Sequence, residues 1–282
     1  MPGRWTEEAG RHKNITTSRA RHTANPGNTN IQENTFMSTI NKNAIISFTW
    51  QHILLLVSLY IMTLGVAVCV RSQLGSSVIS TIPYVMASAG ALIDGIPAWS
   101  IGTYTIVMNA IFVVAQIVIL RRDFEWVQLF QLVIGFLFGM LIDLNILLTT
   151  LISSNILVVN VLAQVAGCTI LGMGIALEVK CGSVTMPGEG ITIAIHKVSG
   201  LEFHKTKIRV DSTLVVLAVL LSFILLGSWQ WHIVGVGTLF AMVYVGMVVR
   251  VMGKHMEWFD HLLAYRPGFR RYVYGLARYI KR

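Results

Sequence analysis

Hydrophobic residues fall along this chain in long unbroken blocks. They do not alternate as in a half-buried strand, nor keep to one side as in a soluble helix. A bilayer core about 30 Å thick needs about 20 apolar residues per helical crossing. Six blocks qualify: 46–70, 103–120, 126–148, 157–177, 211–227 and 233–252. Two connections are long, 71–102 and 178–210, and each holds an apolar stretch broken by proline and glycine. The pattern predicts an all-α, polytopic membrane protein with six transmembrane helices.

Composition agrees. Hydrophobic residues make up 54% of the 282 and charged residues only 12%, against about 25% charged in ordinary soluble chains. The net charge of +9 raises nucleic acid as a partner. The cations sit between apolar blocks, however, where the rule that keeps Lys and Arg on the cytoplasmic side accounts for them. With the N-terminus inside, 21 of the 22 Lys and Arg residues fall on that side, and Arg71 alone falls outside. Both termini are therefore expected to be cytoplasmic. The same count constrains 78–93: a full crossing there would put the cationic C-terminus outside. The segment is expected to enter the bilayer and return, or to lie along its surface.

The two halves resemble each other. Leu64-Gly-Val-Ala-Val-Cys-Val-Arg71 parallels Met173-Gly-Ile-Ala-Leu-Glu-Val-Lys180, and Gly135-Phe-Leu-Phe-Gly-Met140 parallels Gly237-Thr-Leu-Phe-Ala-Met242. Each half reads span, broken segment, span, span. A unit with three crossings inverts its second copy, as in many transporters. This predicts two inverted three-helix repeats, 45–148 and 157–253, each with a broken or re-entrant segment, 74–93 and 182–196. Residues 1–44 read as a disordered polar tail, with 1–36 as an over-called start ahead of Met37. Residues 254–282 interleave aromatic and basic positions, which predicts a cytoplasmic amphipathic helix on an anionic lipid surface.

Candidate chemistry follows from the few ionisable residues near membrane depth, where such groups are usually functional. Glu189 stands between Gly188 and Gly190, just after Pro187. It reads either as a coupling or binding carboxylate, or as a first-turn acid on a short helix. Asp143 lies late in the third span and either faces the bundle or reaches the headgroups. Asp211 opens the fifth span, where a first-turn acid paired with Lys207 four residues before it would be ordinary. Glu178 and Lys180 read as interfacial, and Arg71 as snorkelling at a span end. Cys69, Cys168 and Cys181 have no metal-like spacing and read as small residues packed among helices. Phosphate loops, nucleophile elbows and His-Glu-x-x-His are missing from the sequence, so neither an enzyme nor a cofactor or bound metal is expected.

Several of these positions carry a resemblance. Gly65-Val-Ala with Leu74-Gly75, Ile142-Asp143, Met186-Pro-Gly-Glu-Gly190, and Gly200-Leu-Glu-Phe203 followed by Lys207-Ile208 and Asp211 resemble the YitT/YczE family of bacterial membrane proteins over about residues 45–255. Ser76-Ser77-Val78 departs from it, since relatives often have a proline just after the Leu-Gly. The resemblance implies a bacterial inner-membrane protein and names no substrate. The expected function is a secondary transporter or permease for a small solute or ion, with the lipid bilayer as its surroundings. The alternative is a non-transporting scaffold or regulator. A homo-oligomer, or a cytoplasmic partner on the C-terminal helix, stays open.

Overall fold

The structure, a computed structural model, describes residues 50–152, 156–181, 184–256 and 259. The N-terminal tail and nearly all of the basic C-terminal segment lie outside the described residues. The described residues form eight α-helices and no strand. These are α1 (Trp50–Arg71), α2 (Val78–Gly90), α3 (Ile101–Leu120), α4 (Gln131–Leu148), α5 (Leu157–Cys181), α6 (Pro187–Ser199), α7 (Phe203–Leu226) and α8 (Val236–His255). Six are long and apolar enough to cross a membrane, while α2 and α6 have only 13 residues each.

Apolar side chains such as Ile111 on α3, Phe136 on α4, Ile224 on α7 and Val243 on α8 face outward. Water would penalise such surface, but hydrocarbon does not. With its six spans, the chain is an integral membrane protein of the multi-pass type.

The sequence places five of the six spans within a few residues. The exception is α7. It begins at Phe203, eight residues before the apolar block, because Lys205, Lys207 and Arg209 continue the helix without being apolar. Asp211 therefore lies in its third turn, beyond the reach of the N-terminal dipole.

The core forms where α1 meets α4 and α5. Leu55, Leu59, Met62 and Val66 pack against Ile134, Phe138 and Ile142 of α4 and Leu171 of α5. Glycine brings α1 and α5 into main-chain contact. A Cβ on Gly65 would stand 2.7 Å from Leu171 Cα, and one on Gly174 would stand 2.6 Å from Met62 N. The two contacts are reciprocal: Gly65 and Gly174 are 109 residues apart, and so are Met62 and Leu171.

The short helices pack crosswise. α2 lies along α7 and α6 along α3. Their N-termini meet, with Gly188 against Ile79. Pro187 occupies the first turn of α6, where its missing N–H costs nothing. Gly200 ends α6 in the left-handed conformation at φ 67°. The residues before α2 are pinned to the start of α8: Gly237 N donates to Leu74 O at 2.8 Å and Ser76 N to Ile233 O at 2.9 Å.

The glycine contacts predict a contrast. Gly65→Ala and Gly174→Ala should each destabilise the protein by about 1–3 kcal/mol, as overpacking does. Gly246→Ala, whose Cβ would meet nothing within 4 Å, should leave it unchanged. Thermal midpoints of the purified variants in detergent check this. Equal midpoints for all three would contradict the crossing.

Candidate functional site

The start of α6 gathers most of the predicted candidates. Met186 caps the helix with no side-chain hydrogen bond of its own, so Glu189 stands at its third position. A glutamate there commonly reaches back to the N–H of the capping residue. Here that N–H is already taken. Met186 N donates at 2.8 Å to Oε1 of Glu178, which comes from the last turns of α5. Glu189 instead lies within reach of the charges of Lys207 and Asp211 on α7, and its side chain is half-buried.

Lys207 Nζ meets Asp211 Oδ1 at 3.1 Å, one turn apart on α7. Glu178 in turn lies within reach of Glu189 and Lys207. The charge of one lysine thus acts on three carboxylates from three helices. Glu178 is only 3% exposed, and its Oε2 is buried without a hydrogen-bond partner among the described residues. The expectation of an interfacial Glu178 is corrected here. Positions 178 and 180 project differently from a helix, so Glu178 turns inward while Lys180 Nζ donates to Met256 O at 2.9 Å.

The glycines around Glu189 have steric causes. A Cβ on Gly190 would stand 2.7 Å from Gln116 Oε1 and 2.8 Å from Gln131 Oε1. These two glutamines are 1% and 3% exposed. Gln116 Nε2 donates to Gln131 Oε1 at 2.9 Å and to Pro187 O at 3.2 Å. Gly188 admits Ile79. Pro187, Gly188, Glu189, Gly190, Lys207 and Asp211 therefore share one site. Sequence reading passes over Gln116 and Gln131, whose signal is amide side chains at the ends of apolar spans.

Asp143 is elsewhere. Its Oδ1 accepts from Gly102 N at 2.8 Å, and its Oδ2 accepts from the Ser100 hydroxyl. It thereby caps the start of α3, about 21 Å along that helix from Gln116 at 1.5 Å per residue. Arg71 is occupied too: its Nη2 donates to Ile146 O at 2.7 Å. The three cysteines are free and, as expected, packed among the helices, and the sulfurs of Cys69 and Cys168 stand 3.8 Å apart. Among the described residues, no three His, Cys, Asp or Glu side chains are placed to share a metal ion.

Comparison with known proteins places the chain by family. The model of a family of unknown function, DUF6198, matches residues 49–254, and the chain belongs to that family. No curated protein and no solved structure matches it. The family match supplies no activity and does not itself extend to the YitT/YczE resemblance.

The capping geometry of Asp143 predicts a structural phenotype. Asp143→Ala should cost about 1 kcal/mol in thermal stability, as loss of an N-terminal cap does, and Asp143→Asn less. Unfolding midpoints in detergent decide. An Asp143→Ala variant as stable as the parent would remove the capping role.

Proposed function

We propose that this family member is a secondary transporter for a small solute or ion, with the cluster at the start of α6 as its coupling site. The single observation that carries the reading is the meeting of the N-termini of α2 and α6 beside that cluster. Broken helices in corresponding positions of two repeats point to a central transport site. Irregular backbone at membrane depth persists only where protein buries it or water lines it.

We read the two halves as inverted repeats, and their contacts support this. α2 and α6 have equal length, and their caps, Ser77 and Met186, are 109 residues apart. Gly65–Leu171 and Gly174–Met62 exchange under the same shift. Arg71 and Lys180 are likewise 109 residues apart, and each donates to a main-chain carbonyl near the end of the last helix in its own half. Ile79 and Gly188, where the short helices touch, are also 109 apart, so their contact falls on the pseudo-twofold axis. On this reading α2 and α6 are the re-entrant segments, entering from opposite sides.

The halves differ in charge. Under the repeat, Glu178 and Glu189 correspond to Cys69 and Ser80 at the 109-residue shift, and Lys207 and Asp211 to Thr105 and Asn109 at the 102-residue shift of Gly135 and Gly237. All four counterparts are buried and neutral. A scaffold would give an ionisable cluster at one end no task, whereas a carrier driven by an ion gradient needs one. With 21 of 22 Lys and Arg on one side, the cluster faces the cytoplasm of a bacterial inner membrane.

Uptake of a broad panel of small solutes into cells making the protein, against cells making Glu189→Gln, tests the proposal. We expect at least one solute to accumulate with the parent chain and to fall about tenfold or more with Glu189→Gln, the loss typical when a buried charged contact is removed. Accumulation of no solute, or equal accumulation with the variant, would overturn it.

A further inference from the structure

We propose that Glu178 is the group that takes up and releases a proton as the protein works, with Glu189 and Lys207 linking it to water. The inference rests on the transport reading and gives its coupling ion a chemistry. It starts from hydrogen-bond supply. Glu178 receives one main-chain N–H, from Met186 at 2.8 Å on Oε1. Among the described residues its Oε2 has no partner, and the residue is 3% exposed. A buried carboxylate oxygen without a donor is costly. One proton on Oε2 relieves that cost without moving any backbone.

Charge points the same way. Lys207 is engaged by Asp211 at 3.1 Å, and its one positive charge is also felt by the carboxylates of Glu178 and Glu189. The cluster therefore needs further positive charge when Glu178 is ionised. A calcium or magnesium ion would need six or more oxygen ligands, part of them water. The described residues offer no three acidic, His or Cys groups to begin such a shell. A proton needs one oxygen.

The groups facing Glu178 are few. Glu189 approaches from α6 and Lys207 from α7, with Asp211 behind it. On its own helix Cys181 follows three residues later, its thiol 3.8 Å from the Ser58 hydroxyl of α1. Around Met186, whose N–H Glu178 holds, α1 and α4 contribute Leu55, Leu59, Ile134 and Phe138, which carry no charge. The way out to solvent runs through Glu189, half-buried, and Lys207, whose side chain is 30% exposed.

Infrared difference spectroscopy on the full chain in lipid nanodiscs, with pH steps in H₂O and D₂O, tests this with no solute needed. We expect a protonated-carboxyl band that titrates with pH, shifts in D₂O and is lost in Glu178→Gln. That variant keeps the acceptor for Met186 N–H. Lys207→Met removes the neighbouring positive charge, and its band should survive to about tenfold lower proton concentration. This arm stands even if Glu178→Gln does not fold. Three results would overturn the proposal: no band lost with Glu178→Gln or moved by Lys207→Met; a band that neither titrates nor exchanges; or a band removed by sodium at constant pH. A titrating Glu178 in a chain that moves no solute would sink only the transport reading. A transporting chain without the band would sink only this one.

Discussion

Where α1 crosses α5, glycine lets main chain meet main chain, and the positions of the other helices follow from that crossing. Between spans in lipid there is little hydrophobic drive to associate, so close packing has to hold them together. Gly65 and Gly174 supply it from opposite sides of the contact. The crossing fixes where α1 and α5 end. Those ends lead into α2 and α6, which pack on α7 and α3 in the opposite half. The two starting ends then meet at Ile79 and Gly188.

That arrangement leaves exposed main-chain N–H groups at the start of each short helix, because the first turn has no partners of its own. The two halves satisfy them differently. At α6, Glu178 from α5 takes the Met186 N–H, which frees Glu189 to face Lys207 and Asp211. At α2, Ser77 caps without a side-chain bond to the main chain, and its hydroxyl lies 2.7 Å from that of Ser80. The start of α6 thus carries charges that the start of α2 lacks, and that difference gives the α6 end its distinctive chemistry.

Much of the frame is legible in the sequence because its causes are local. Runs of apolar residues mark the spans, Pro187 marks the start of α6, and Gly200 and Gly227 mark the ends of α6 and α7. The start of α7 is not legible, since a charged helical turn and a charged loop look alike until the turn packs. Glu178 is hidden for another reason. Next to Lys180 at the end of an apolar run it looks interfacial, and only its pairing with Met186 across a sequence gap of eight residues draws it in. A signal lies in the parallel of Leu64–Arg71 with Met173–Lys180, which aligns Glu178 with Cys69, a fully buried residue. Asp143 stands late in its span in the sequence, but its partner, the start of α3, is set by tertiary packing alone.

The most direct measurement is the reaction of single cysteines with a membrane-impermeant thiol reagent applied from each side, in a chain whose three native cysteines are replaced. Leu92→Cys and Ser199→Cys mark the exposed far ends of α2 and α6, and Ser77→Cys and Glu189→Cys mark the ends that meet. Fast labelling is expected for Leu92→Cys from one side only and for Ser199→Cys from the opposite side only. Both inner positions should react slowly. Leu92→Cys and Ser199→Cys reacting from the same side, or Glu189→Cys reacting as fast as Ser199→Cys, would contradict the re-entrant reading of α2 and α6.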